Sequence, residues 1–181
     1  MQNRPESGFT LIELLIVIAV IGIIAAIGLP GLLRARMAGN ESSAIASLRV
    51  INSSQHAYMT SCGNGFYASS LTILADPAPV GTGFISPDLG SAAIVEKSGY
   101  RLTMGEGSEA DSADEDGCNP SGVAADLYSS YYVSNAPIAP GQTGTRWFWT
   151  NSAGAIFTSN ADVFAAVHIG NAPPGVGAPL H

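Results

Sequence analysis

A single carboxylate, Glu13, stands inside the apolar run Phe9–Leu29. An ionised side chain at the centre of a bilayer costs about 2.5–3.5 kcal/mol, less near the interface, so by default such a residue is functional. The bland alternative is a carboxylate that snorkels to the headgroups. A second group of residues with chemical potential is Gly105–Gly117, which carries six of the fourteen Asp and Glu residues. Oxygen ligands at alternate positions, with glycines to bend the chain, suit Ca²⁺, and Asp111, Asp114 and Asp116 are its expected ligands. The spacing is not that of an EF-hand loop, and a solvated acidic loop has the same composition. Two cysteines, Cys62 and Cys118, form no CxxC pair and have only His56 nearby, which argues against a thiolate metal site or nucleophile.

Nothing else in the chain resembles a catalytic constellation. There is no GxSxG elbow, phosphate loop or HExxH pair, and His56, His168 and His181 lie far apart. The expectation is therefore a protein that is not an enzyme and requires no cofactor, with Ca²⁺ as the one candidate ligand. Seven Lys and Arg against fourteen Asp and Glu give 181 residues a formal charge of -7, and no basic cluster is interleaved with aromatics. Nucleic acid is accordingly excluded as a main partner.

The elements that must position Glu13 begin with the apolar run itself. Phe9–Leu29 is about as long as a helix needs to be to cross a bilayer core of ~30 Å. It is apolar all round, so it requires lipid or other helices of its kind. Arg4 followed by an apolar stretch also suggests a secretory signal peptide, but the stretch exceeds an h-region of about 7–15 residues and no small-residue cleavage site ends it. A plain membrane anchor accounts for the length and leaves Glu13 unexplained.

Pro30, with Gly28 and Gly31 beside it, either ends this helix or kinks it, because proline removes one backbone hydrogen bond and clashes one turn back. Helical pattern resumes at once, which favours the kink. From Leu32 to Cys62 the apolar residues Ile45, Leu48, Ile51 and Tyr58 fall at amphipathic spacing. Ser42, Ser43, Asn52, Ser53 and Ser54 fill the remaining faces, as on a surface against protein or water. Cys62-Gly63-Asn64-Gly65 then stops the helix.

Beyond Cys62 the composition changes to Gly, Ser, Pro and Thr with strand-length apolar runs, which predicts a small β-rich unit. Expected strands are Tyr100–Met104, Tyr128–Ser134, Arg146–Thr150 and Ala155–Thr158, the last two joined by a turn at Asn151-Ser152-Ala153-Gly154. Phe66–Ser98 reads as a long connecting loop with a short helical turn at Ser69–Leu74. Tyr128, Tyr131, Tyr132, Trp147, Phe148 and Trp149 pack the sheet onto the helix in this reading. The end of the chain, Pro-Pro-Gly-Val-Gly-Ala-Pro-Leu-His, has no period and reads as a loosely held tail.

The contiguous stretch Gly8-Phe9-Thr10-Leu11-Ile12-Glu13-Leu14-Leu15-Ile16-Val17-Ile18-Ala19 resembles the N-terminal signature of type IV pilins and type II secretion pseudopilins. The resemblance implies an α+β fold, in which a long bent N-terminal helix packs on a small antiparallel sheet. It divides the chain into a leader (1–8), a transmembrane and filament-core helix (9–29), the amphipathic second half of that helix (30–62), a connecting loop (63–98), a β-sheet head (99–160) and a tail (161–181). It also implies that a membrane prepilin peptidase cuts after Gly8 and methylates Phe9. Cleavage removes Arg4 and Glu6 together and leaves an amine at Phe9 about one turn from Glu13. Glu13 is then an assembly residue that answers the amine of a neighbouring subunit, since opposite charges attract strongly where the dielectric is low.

Further implications concern location and partners. The resemblance places the N-terminus in the cytoplasm, the span in a bacterial inner membrane and the head in the periplasm or on an extracellular filament. Charge alone is ambiguous, because Arg34 and Arg36 follow the span while Arg4 precedes it. Expected partners are copies of the chain, related minor pilins, the peptidase and an inner-membrane assembly platform. With the head outside the cytoplasm, the even cysteine count implies a Cys62–Cys118 disulfide, at a spacing that departs from the family's usual C-terminal bridge. The head pattern from Tyr131-Tyr132-Val133 through Gly144, Arg146, Phe148 and Gly154 is similar to that of the major pseudopilin branch. With the acidic loop, for which calcium-binding pseudopilins give a precedent, it favours a protein-secretion pseudopilus. The alternatives are a type IV pilus for adhesion, motility or DNA uptake, and a plain membrane-anchored binding domain of the envelope.

Overall fold

A computed structural model of the chain describes residues 8–78, 81–107, 111–161 and 178–180. It contains two compact units, residues 1–36 and 37–181. One helix, α1 (Leu11–Ser61, 51 residues), contributes to both.

In the first unit every described residue is exposed. Here α1 is long and apolar enough to cross a membrane. A run of leucine and isoleucine with no protein against it is stable only with lipid or another apolar surface around it. The helix continues through Gly28, Pro30 and Gly31, so the reading in which Pro30 ends it does not hold. Pro30 has no N–H to give to the carbonyl one turn back, and the turns on either side carry the helix across that gap.

In the second unit α1 packs its apolar stripe on an antiparallel sheet. The connection opens with β1 (Tyr67–Ala68), a short helix α2 (Leu71–Ala75) and a single turn α3 (Pro87–Gly90). Strands β2 (Ile94–Lys97), β3 (Tyr100–Glu106), β4 (Leu127–Tyr128), β5 (Tyr131–Pro137), β6 (Trp147–Asn151), β7 (Ile156–Ser159) and β8 (Ala178–Pro179) follow. Among the described residues the main sheet runs β2-β3-β5-β6-β7-β8, every pair antiparallel, while β1 pairs only with β4. Register aligns the inward residues: Leu102 faces Asn135, which faces Phe148, and Met104 faces Val133, which faces Thr150. Ala44, Leu48, Ile51 and Tyr58 of α1 join Tyr100, Leu102, Tyr131, Val133 and Phe148 in one buried core. Each large apolar side chain buried there contributes about 1.5–3 kcal/mol.

Several expectations need correction. The residues from Tyr128 to Ser134 are two strands, because β4 leaves to pair with β1 and only β5 enters the main sheet. The expected connecting loop contains β2, which forms a hairpin with β3 through Ser98-Gly99, both at positive φ. Asn52 and Ser54 are buried, so of the two surroundings expected for them, protein or water, they meet protein. Trp149 is buried but stacks on Phe157, ring centroids 4.1 Å apart, outside the core that α1 joins. Most of the expected loose tail lies outside the described residues, but Ala178–Pro179 is held as a strand against β7.

Candidate functional site

The α1 N-terminus carries a reciprocal cap. Thr10 donates its backbone N–H to Glu13 Oε2 at 2.9 Å and its hydroxyl to the same oxygen at 2.6 Å. The Glu13 N–H donates back to Thr10 Oγ1 at 3.3 Å. This is the capping box, Thr at the cap and Glu three residues on, which satisfies donors that the first helical turn leaves without partners. In lipid no water replaces such bonds, so the cap matters more there than at a protein surface. Among the described residues Glu13 Oε1 takes part in neither bond, which leaves it available to a cation. Gly8 and Phe9, the latter 77% exposed, precede the cap. The Thr-x-x-Glu spacing before an apolar run is itself a readable signal, and it adds Thr10 to Glu13 and Phe9 as a residue of this site.

Three polar residues of α1 tie the helix to the head. Glu41 Oε1 accepts from the backbone N–H and hydroxyl of Thr145 at 2.9 and 3.0 Å. Its Oε2 accepts from Arg146 Nε at 2.8 Å and pairs with Nη2 at 2.7 Å. Burial works to raise the Glu41 carboxyl, yet these bonds outweigh it and hold the group below the usual glutamate range. Further along α1, Asn52 donates to Thr150 Oγ1 and the Gly154 carbonyl and accepts from the Tyr131 hydroxyl. Gln55, fully buried, clasps the Ala68 backbone from both sides, donating to its carbonyl at 2.7 Å and accepting its N–H at 3.1 Å. Their partners lie far along the chain, and only the tertiary structure brings them together.

The end of α1 is fixed by sulfur and by a buried amide. Asn64 adopts φ 51° and the Gly65 N–H reaches back to the Met59 carbonyl, as at a left-handed helix stop. Cys62 and Cys118 form a disulfide. Beside it, Asn119 accepts from the Tyr58 hydroxyl at 3.0 Å and donates to the Ile73 carbonyl at 2.7 Å. Burial, aided by the Asp76 charge, raises the Tyr58 phenol to about 12.

The described residues of the acidic segment do not converge. Asp116 Oδ1 accepts from the Ala124 N–H at 2.8 Å, and the Asp111 N–H donates to Ser129 Oγ at 2.9 Å. Asp114 and Glu115 are exposed. Glu106 is hydrogen-bonded to Tyr128, whose phenol is raised first by that carboxylate and then by burial. Among the described residues no group of three or more His, Cys, Asp or Glu side chains could hold a metal ion.

Comparison with known proteins fits the capped apolar helix and the sheet-bearing head. The prokaryotic N-terminal methylation motif matches residues 3–29. The chain is 38% identical over 98 residues to the type IV wide pilus major component of Thermus thermophilus, a match that covers 51% of this chain and 73% of that one. The chain belongs to the type IV pilin family. A second relative, the type IV major pilin of Myxococcus xanthus, is 38% identical over 58 residues, covering 32% of this pilin and 26% of its relative. No solved structure matches significantly. As a pilin the chain is a structural subunit of a type IV pilus, not an enzyme. Both named relatives are pilus components, which supports the pilus over the secretion pseudopilus that the head pattern favours.

Proposed function

We propose that this pilin is cut after Gly8 by prepilin peptidase, methylated at Phe9, and stored in the inner membrane with its N-terminus cytoplasmic. An inner-membrane platform then adds it to a growing pilus, alongside copies of itself and minor pilins. The observation that carries this reading is the Thr10–Glu13 cap at the head of the exposed apolar first half of α1. Cutting at Gly8 places the new amine within a turn of Glu13 Oε1. In a water-free bundle of such helices, that oxygen is the natural seat for an amine, from its own chain or from its neighbour. Heterologous contacts between copies propagate into an open filament when the rotation between them does not close.

Intact mass and N-terminal sequencing of the chain from membranes and from sheared surface material test the proposal. Methylated Phe9 in sheared filaments is the expected result. The same terminus found only in membranes supports the secretion pseudopilus instead, and an intact Met1 or a cut elsewhere overturns both. Adhesion, motility and DNA uptake are separated by assaying each in a host that lacks the chain.

A further inference from the structure

The head, residues 37–181, carries twelve Asp and Glu against four Lys and Arg, a formal charge of -8. Three of its four cations are committed within the chain: Lys97 to Asp88 at 2.6 Å, Arg101 to Glu96 at 2.8 Å and Arg146 to Glu41 at 2.7 Å. Arg49 is exposed and forms no ion pair among the described residues. It lines a groove of about 460 Å³ between α1 and the β6–β7 turn, with Asn52, Gly154, Ile156 and Leu180 among the other walls. The Asn52 amide is already used by Tyr131, Thr150 and the Gly154 carbonyl, so Arg49 is the charged group left to receive a ligand. Gly154, at φ 77°, has open space where a side chain would stand, which keeps the groove clear.

We infer that this groove docks the acidic stretch 111–116 of a second copy of the chain, with Arg49 taking a carboxylate from Asp114 or Glu115. The argument is charge complementarity. Packing heads of charge -8 side by side is repulsive, and a contact that seats a carboxylate of one copy on the free guanidinium of the next offsets it locally. Asp114 and Glu115 are exposed and hold no hydrogen bond or ion pair among the described residues, so they are free to leave water for that seat. Groove and acidic segment are different surfaces of the head. The contact is therefore heterologous, the kind that can repeat from copy to copy. This inference rests on the pilus-subunit reading and names a contact within it.

The test uses the full-length chain in its host, reading sheared filament yield against the membrane pool. Arg49→Glu is expected to lower yield about tenfold or more with the membrane pool unchanged, since like charges facing across an interface are strongly disfavoured. Adding Asp114→Arg and Glu115→Arg to that variant is expected to restore most of the yield. Filaments at wild-type level from Arg49→Glu overturn the inference, as does a loss that the reversed pair does not restore. Absence of filaments from the wild-type chain would instead overturn the pilus reading itself, so the two failures are distinguishable.

Discussion

Replacing Glu41 with alanine removes four polar contacts at once. The carboxylate accepts from Thr145 N, Thr145 Oγ1 and Arg146 Nε, and pairs with Arg146 Nη2, all between 2.7 and 3.0 Å. Arg146 is 39% exposed and recovers water when its partner leaves, whereas the Thr145 N–H loses its acceptor in a part-buried bond. Hydrogen bonds to a charged group are worth about 1.5–3 kcal/mol each when fully desolvated. Discounting the exposed guanidinium for solvent leaves about 2–4 kcal/mol for the whole set. For a head of this size that corresponds to a fall in Tm of roughly 6–12 °C.

The measurement is thermal unfolding of the detergent-solubilised full chain at pH 7, followed by circular dichroism. Wild-type and variant are also compared as pH falls. The carboxyl is depressed when folded, so its contribution is fully present above the ordinary glutamate value of 4.5 and is lost as pH falls through the lower folded value. The gap between the two proteins should therefore narrow below about pH 4. A Tm loss under about 1 °C at pH 7, or a gap that widens in acid, would refute the assignment of Glu41 as the clamp between α1 and the β5–β6 loop.

Other perturbations separate the remaining roles. Glu13→Ala should insert in membranes but assemble poorly, while Glu13→Gln, which can still cap Thr10 without charge, should fall between it and wild type; unchanged filament yield in Glu13→Ala would sink the assembly role. Replacing Cys62 and Cys118 by serine opens a cross-link of 56 residues' separation and should cost about 4 kcal/mol in the chain-entropy description. Thermal melting reads that loss, and alkylation without reductant should add no mass to the wild-type chain. Asn52→Ala orphans the Tyr131 hydroxyl and should destabilise by about 1–3 kcal/mol, with a denaturant midpoint equal to wild type as the contrary result.

The part of this protein that meets lipid or its own kind was fully legible in the sequence. Phe9–Leu29 declares itself by composition, Glu13 by being the sole charge within it, and the Thr10–Glu13 spacing by local geometry, because a helix start depends only on residues within one turn. The stripe Ile45, Leu48, Ile51 and Tyr58 was equally readable, since helical period is a local property. What sequence concealed lies in the long-range pairings. Glu41, Asn52 and Gln55 show in sequence only that they are polar, and segments elsewhere in the chain supply Thr145, Tyr131 and Ala68 as their partners. Strand β2 was hidden in a loop because so short a segment carries too little pattern, and pairing with β3 alone defines it. That Arg49 is the one head cation without an ion pair among the described residues is seen only once the fold pairs the other three with carboxylates. A polar side chain's free energy is set by what desolvates and faces it, and that is fixed by the fold rather than by its neighbours in the chain.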